Sequence, residues 1–267
     1  MTVEYDGTDF CGFQWQPNLR TVAGVLEITL ARLFSHPVKL TAAGRTDGGV
    51  HATGQVVSLA TSATFPFERL LPALQALLPA DCSVRRAEVV PEGFSARFSA
   101  VERTYCYAIS NRREPSPLLS RYAAHESQPL DLAAMRAAAE HLVGEHDFRS
   151  FSALGDGAPT TIRRVGQLRI AARGELVGLQ ITAGGFLHHM VRTIAGTLIE
   201  CGVGRRRPAE MPGILAALDR RAAGATAPPQ GLYLAGVRYA DGYDSYADPP
   251  ALRGFAEAAL DGPCAFP

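Results

Sequence analysis

The residue types best suited to chemistry lie in one short segment, residues 43–52, which reads Ala-Gly-Arg-Thr-Asp-Gly-Gly-Val-His-Ala. Its glycines permit positive φ values and a close approach of the backbone to a ligand, while Arg45 and Asp47 supply opposite charges. Such a segment is suited to presenting one carboxylate. The same spacing also fits an ordinary turn in which Asp47 caps the backbone locally, and spacing alone favours this simpler interpretation.

The elements that must position this segment are predicted in the order strand, helix, strand, strand, helix, strand, and the segment is a loop between the second and third strands. Thr21 is predicted to cap a first helix that ends before Pro37, and Pro66 to begin a second helix that ends before Pro79. The order is typical of a ferredoxin-like unit. Period-two patterns and β-branched side chains predict the strands at residues 2–5, 37–42, 53–59 and 83–90.

The pattern begins again near residue 100, so we predict an α+β fold of two ferredoxin-like (RRM-like) α/β halves, with antiparallel sheets side by side around a central cleft. The predicted domains are residues 1–100, which carry the loop, residues 101–239, and a tail, 240–267, that lacks a clear core face. The second half is predicted to contain strands 104–110, 165–171, 176–183 and 232–239 and helices 131–144, 187–203 and 208–221.

The loop resembles the signature loop of the tRNA pseudouridine synthase A family, whose members isomerise uridines in the anticodon stem-loop. Nine of its ten positions carry a residue that the signature specifies, so a chance match is improbable. Position 48 is the exception, because Gly48 stands where the family usually carries alanine. Glycine adopts any backbone angle that alanine can, so we expect a softer loop with activity retained.

Two further segments resemble motifs of this family. Residues 94–107 include Tyr105, which by the resemblance packs against the target uracil, and on a strand Tyr107 would share its face. Residues 186–192 read Phe-Leu-His-His-Met-Val-Arg and are predicted to open a helix. By the same resemblance, Arg192 on this helix would pair with the carboxylate of Asp47. Core tyrosines and a surface arginine on an amphipathic helix are the plainer interpretations of these residues.

Weaker matches complete the resemblance, which covers most of the chain. Leu232 would lie as an apolar floor under the base, although any core strand could supply such a leucine, and His51 is assigned to substrate binding. The amino-terminal motif departs from the family at Phe13 and Trp15, where tryptophan and arginine are more usual, so a basic contact is expected to be missing there.

The resemblance also implies roles. Asp47 would either attack C1′ of the ribose or remove a proton from C2′ to give a glycal, and the sequence does not choose between these. Arg45 would enter the RNA stack and keep the target nucleotide out of it. We predict no cofactor. We also predict no metal, since His188 and His189, adjacent on a helix, would point about 100° apart and could not chelate one ion.

Composition sets further limits. The 26 basic and 26 acidic residues cancel, so net charge alone does not indicate a polyanionic partner, although arginines cluster at 97–121 and 205–207. The five cysteines form no Cys-x-x-Cys pair, the sequence opens without a signal-like segment, and no apolar run is long enough to span a bilayer. We therefore expect a cytoplasmic protein with reduced thiols and no membrane partner.

The predicted partner is tRNA, and the resemblance implies a homodimer that modifies positions 38 to 40. Two rival functions remain open. A non-catalytic RNA-binding module would explain the fold and the arginines, but it would not need Asp47, Arg45, Tyr105 and Arg192 together. A glycosidase or nucleosidase would also use a carboxylate, yet it usually needs a second one as acid.

Overall fold

The structure is a computed structural model of mixed α/β type that describes residues 1–153, 159–240, 242–247 and 249–252. The strands in this part are β1 (Thr2–Tyr5), β2 (Thr41–Ala42), β3 (His51–Ser58), β4 (Cys82–Arg86), β5 (Ala100–Asn111), β6 (Ala124–Glu126), β7 (Gly144–Asp147), β8 (Ile162–Arg173), β9 (Leu176–Ala183), β10 (Leu232–Tyr239) and β11 (Ser245–Tyr246). The α-helices are α1 (Val22–Phe34), α2 (Phe67–Leu77), α3 (Leu132–Glu140), α4 (Met190–Gly202) and α5 (Met211–Ala217).

The chain divides into two compact units. Unit 1 comprises Met1–Arg103 and Tyr233–Ala247, and unit 2 comprises Thr104–Leu232 with the described residues after position 248. Unit 1 is therefore discontinuous in sequence, because it receives most of β10 and all of β11 from the far end of the chain.

Unit 1 is built on a sheet with the order β4-β1-β3-β10. Strand β1 pairs antiparallel with both β3 and β4, whereas β10 pairs parallel with β3, and β2 and β11 add short antiparallel pairs. Helix α1 begins where the side chain of Thr21 accepts a hydrogen bond from the amide of Gly24, as predicted. Its fully buried Leu26 and Leu30 contribute to the core of the unit.

Unit 2 contains the neighbouring strands β5, β9, β8 and β7, with β6 paired parallel to β5. Strands β8 and β9 form a long antiparallel hairpin, and α3 packs against β8 and α4. The side chain of Asp131 accepts hydrogen bonds from two amides at the start of α3, which confirms the predicted cap. Met135, Leu142 and Ile194 are fully buried in this core.

Three strands, β1, β9 and β10, have the predicted bounds, but two others are shorter than predicted. The strand predicted at 37–42 is reduced to β2, because the amide of Leu40 donates to the carboxylate of Glu27 instead of a neighbouring strand. The strand predicted at 83–90 ends at Arg86. Its register partner is Thr2, the first residue of β1, so no strand is available beyond that point.

The predicted helix starts in the second half need correction. The helix predicted from residue 187 begins at Met190, because His189 precedes it in the left-handed region with φ 61°. His188 and His189 are thus outside the helix, with ring centroids 4.0 Å apart, and the 100° argument does not apply to them. The helix predicted at 208–221 begins with a 3₁₀ turn, continues as α5, and ends at Leu218, whose φ is 51°, before a further 3₁₀ turn.

Pairing also creates strands that the sequence pattern did not predict. Strand β7 lies antiparallel to the start of β8, so residues 141–144, predicted as the end of a helix, lead into a sheet. In the predicted tail, β11 pairs with β10, and the hydroxyl of Ser245 donates to the carbonyl of Gly54. Beyond position 252 the tail lies outside the described residues.

No disulfide joins the described cysteines, which are Cys11, Cys82, Cys106 and Cys201. Burial raises the pKa of Cys82 to about 12 and that of Cys201 to about 11, so both stay protonated at neutral pH. Within the described ranges, no helix is both long and apolar enough to cross a membrane.

Candidate functional site

The loop singled out from the sequence connects β2 to β3 in unit 1. The amide of Ala43 donates to the carbonyl of Val56 across the two strands, 2.8 Å away. A tight turn follows, in which the amide of Val50 donates to the carbonyl of Asp47 over 3.2 Å. Gly49 has φ 78°, so this turn requires a residue without a Cβ at its third position.

Buried polar groups fix the loop from below. The hydroxyls of Thr46 and Tyr5 share a hydrogen bond of 2.8 Å, and the carbonyl of Thr46 accepts from the amide of Phe13. The side-chain amide of Gln55 donates to the carbonyl of Gly44 over 2.7 Å. These contacts were not predicted. Tyr5 ends β1 and Gln55 lies in β3, and neither position indicates from the sequence which group of the loop its side chain binds.

The two charged side chains of the loop differ in exposure. Thr46 is buried, while its neighbours Arg45 and Asp47 are exposed and half-buried, respectively. The guanidinium of Arg45 makes no hydrogen bond or ion pair within the described part of the chain. The loop thus buries the hydroxyl of Thr46. It leaves the guanidinium of Arg45 at the surface, uncompensated within the described residues and two positions from the carboxylate of Asp47.

His51, predicted to bind substrate, is only 1% exposed at the start of β3. Its Nδ1 accepts a hydrogen bond from the amide of Gly7 and lies 3.2 Å from a carboxylate oxygen of Asp6. Its ring stacks on that of Tyr233, with centroids 4.7 Å apart. His51 therefore joins the end of β1, the loop and β10 within unit 1.

The backbone packs closely against the loop at Gly7, but there is space for a side chain at Gly48. A Cβ added to Gly7 would lie 1.9 Å from the carbonyl oxygen of Val50. A Cβ added to Gly48 would lie 3.5 Å from the carbonyl oxygen of Phe10, which is ordinary van der Waals contact. Lack of space is thus not the reason why glycine replaces the usual alanine at position 48.

We expect Gly48→Ala to stabilise the protein by about 0.4 to 1 kcal/mol, because alanine fits and restricts the unfolded chain more than glycine does. The midpoint of urea unfolding measures this change, with the denaturant dependence unaltered. A destabilised variant would mean that the backbone at position 48 needs glycine.

In unit 2 the two tyrosines of β5 are both buried. Tyr105 is 8% exposed and meets the ring of Phe186 edge-on, with centroids 5.1 Å apart. Tyr107 is completely buried, and its hydroxyl donates to the carbonyl of Pro228. Burial raises the pKa of Tyr107 well above its ordinary value, so this phenol stays protonated and acts as a donor.

Arg192 is the third residue of α4 and binds the same segment that Tyr107 contacts. Its Nε donates to the carbonyl of Ala227 over 2.9 Å, and the amide of Ala227 donates back to the carbonyl of Arg192. Pro228 and a short 3₁₀ turn lead directly from this segment into Leu232, which is 6% exposed. Residues 227–230, which the sequence analysis did not single out, thus lie between the backbone group that Arg192 binds and the match that contains Leu232.

The structure therefore groups the predicted site residues by unit. Arg45, Asp47 and His51 lie in unit 1, and Tyr105, Arg192 and Leu232 lie in unit 2. The ion pair between Asp47 and Arg192 would join residues of different units and stays a prediction.

The expectation of a missing basic contact at Trp15 also needs qualification. Trp15 is 48% exposed, and the ammonium group of Lys39, the single lysine of the chain, lies 5.6 Å from its ring centroid. That distance is within the range of a cation–π contact. A cation is therefore present beside the aromatic ring that replaces the more usual arginine.

Comparisons with known proteins agree with one another. The sequence profile of a family described as tRNA pseudouridine synthase matches residues 1–99 and 138–240. Proteins called tRNA pseudouridine synthase A are similar to the chain. That of Caldicellulosiruptor bescii is 43% identical over 90% of this chain and 98% of its own length. Those of Geobacter sulfurreducens and Bacillus subtilis are each 44% identical, over 90% and 89% of this chain and 98% and 97% of their own.

Proposed function

Since the chain belongs to the tRNA pseudouridine synthase family, we propose that it converts uridines at positions 38, 39 and 40 of the tRNA anticodon stem-loop to pseudouridine. The observation that carries this proposal is the signature loop, anchored by buried hydrogen bonds and presenting Asp47 beside an uncompensated Arg45. The enzyme is accordingly an isomerase.

The reaction breaks the bond from N1 of uracil to C1′ of the ribose and forms a bond from C5 to C1′. The proton on C5 is lost and N1 gains one, so no net oxidation or reduction occurs. We propose that Asp47 acts at the ribose, either as a nucleophile at C1′ or as a base at C2′. Both routes need an ionised carboxylate at the sugar.

Arg45 is proposed to enter the space that the target nucleotide leaves, because a uridine inside a stem cannot present its sugar carbon to a side chain. Exposure of Arg45 and the lack of an intramolecular partner in the described residues support this role. His51 is proposed to belong to the binding site as the residue that holds the end of the signature loop. Its contacts with Gly7 and Tyr233 support this role.

In unit 2, Tyr105 is proposed to pack against the detached uracil and Leu232 to lie beneath it. Arg192 is proposed to form the ion pair that keeps Asp47 negatively charged. The hydrogen bond from Arg192 to Ala227 supports a fixed orientation of this guanidinium at the start of α4. These assignments extend the family resemblance to single residues of this chain.

The finer architecture is also a proposal. We propose two ferredoxin-like halves with sheets side by side, residues 1–100 and 101–239, and a cleft between them. The sheet order β4-β1-β3 with β2 beside β3 supports this for the first half. We further propose a homodimer and a cytoplasmic location, where the tRNA substrate occurs.

Release of tritium from tRNA labelled at C5 of uridine tests the function, with free uridine as the comparison. We expect release from tRNA alone. Tight tRNA binding without release would favour a non-catalytic RNA-binding module, and release of free base would favour a nucleosidase. Mapping pseudouridine in tRNA from cells lacking the protein would then identify the modified positions.

We expect Arg45→Ala to lower kcat by about a hundredfold while tRNA binding changes little, because unstacking a nucleotide costs a few kcal/mol. Single-turnover tritium release and a tRNA binding titration separate the two quantities. The matched control is Arg32→Ala, an exposed arginine on α1. Equal losses of binding and turnover would reduce Arg45 to a phosphate contact.

A further inference from the structure

An exposed aromatic side chain and an arginine lie next to each other on residues 94–100 of unit 1, which lead from β4 into β5. Phe98 is 81% exposed, more than any other aromatic side chain among the described residues. The guanidinium carbon of Arg97 lies 5.3 Å from its ring centroid. In the described part of the chain this guanidinium makes no hydrogen bond or ion pair. The pair is called the Arg97–Phe98 platform below.

The backbone beneath the platform is fixed by side chains. Ala96 is completely buried, its amide donates to the hydroxyl of Ser58, and its carbonyl accepts from the hydroxyl of Tyr239 over 2.8 Å. The ring of Phe94 packs against that of Tyr239 with centroids 5.1 Å apart. Phe98 is therefore exposed on an ordered segment, and folding alone does not explain the position of its ring.

One side chain connects the platform to the signature loop. The guanidinium of Arg103 donates through one terminal nitrogen to the carbonyl of Arg97, 2.7 Å away, and through Nε to the carbonyl of Ala43, 3.0 Å away. Ala43 is the first residue of the loop that carries Arg45 and Asp47. A single planar group thus sets the distance between the platform and the loop.

The chemistry of the platform fits a nucleotide. Its phenyl ring offers a π face for stacking, and its guanidinium offers charge and donors for a phosphate. The segment Phe94–Ala100 carries no carboxylate that could neutralise this charge. A protein partner would contact the ring equally well. The unneutralised guanidinium of Arg97, whose backbone is joined to the signature loop through Arg103, favours the tRNA that is proposed to bind at this loop.

We propose that the Arg97–Phe98 platform binds an unpaired nucleotide of the tRNA substrate, with the base on Phe98 and its phosphate on Arg97. This inference rests on the proposed function and adds a second RNA contact near the reacting uridine. The platform contributes binding energy equally to the substrate and to the transition state, so its loss raises KM and leaves kcat unchanged.

The test measures tRNA binding by titration and turnover by tritium release for the full chain. We expect Phe98→Ala to weaken binding about fivefold to a hundredfold, the range of one aromatic stacking contact, and Phe98→Trp to restore it. Arg97→Gln should reduce the slope of log K against log salt concentration by about one, whereas Phe98→Ala should leave this slope unchanged.

Phe67→Ala is the matched control, because Phe67 is an exposed phenylalanine of α2 in the same unit. The platform proposal is overturned if Phe98→Ala binds tRNA as the parent does, or if it changes the molar mass in light scattering, which would identify a protein contact. If the parent chain binds tRNA but releases no tritium, the proposed function is refuted and the platform proposal is not. A parent chain without affinity for tRNA would overturn both.

Discussion

Asp47→Asn is expected to lower the rate of tritium release from labelled tRNA by at least about a thousandfold while tRNA binding stays within about twofold. The amide has the shape of the carboxylate, so the loop keeps its turn, whose hydrogen bond uses only the backbone carbonyl of residue 47. An amide, however, can neither attack C1′ nor accept a proton from C2′. Both proposed mechanisms therefore fail in this variant.

The comparison variant for this prediction is Asp9→Asn, which removes one negative charge from an exposed residue of the neighbouring amino-terminal loop. We expect its turnover to match that of the parent. If Asp47→Asn instead retained substantial turnover over several cycles, Asp47 would have no part in the reaction, and the proposal would need another group at the ribose.

Gly7→Ala is the second large expected effect, and it concerns the free energy of unfolding. The new methyl carbon would lie 1.9 Å from the carbonyl oxygen of Val50 and 2.5 Å from its carbon. Both are backbone atoms, so no side-chain rotation relieves the overlap, and the segments must separate. We expect destabilisation by about 3 kcal/mol and loss of the hydrogen bond from Gly7 to His51.

Urea unfolding of Gly7→Ala and Gly48→Ala side by side tests this prediction, because the two variants add the same methyl group to adjoining loops. We expect opposite signs, since only position 48 has space. Tritium release near neutral pH should also fall in Gly7→Ala, because displacing Val50 disturbs the turn that begins at Asp47. Unchanged stability would refute the close approach of the two segments.

The features that the sequence predicted best are those determined locally. Thr21 and Asp131 cap their helices because the accepting oxygen and the amide that it binds lie within three residues of each other. The bounds of β1 and β9 follow from alternating side chains. These patterns depend little on the rest of the chain, so a single sequence is enough to recognise them.

The features that were missed depend on distant partners. Strand β7 exists because Gly144–Asp147 lie beside the start of β8, and no alternation within four residues indicates this. The backbone of His189 adopts the left-handed conformation, although the neighbouring residue types favour a helix. The motif at residues 186–192 predicted a helix here, but it could not place the first turn of α4, which begins at Met190.

The candidate site shows the same division. Resemblance selected Asp47 and Arg45, whereas the groups that orient their loop, Tyr5, Gln55 and Arg103, became apparent only when their hydrogen bonds could be measured. Each of these side chains binds a partner on another element, and such pairs leave no periodic signal in one sequence. Single residues can thus be recognised from a motif before the contacts that support them are known.

The discontinuity of unit 1 has a consequence for synthesis on the ribosome. The amino-terminal part of this unit emerges early, but strand β10, which pairs with β3, and the hydroxyl of Ser245 that binds Gly54 are translated only after the whole of residues 104–232. Nascent domains usually fold as soon as they are complete. Here the edge of β3 stays unpaired until unit 2 has been translated, and a nascent chain stalled before residue 233 would expose this edge.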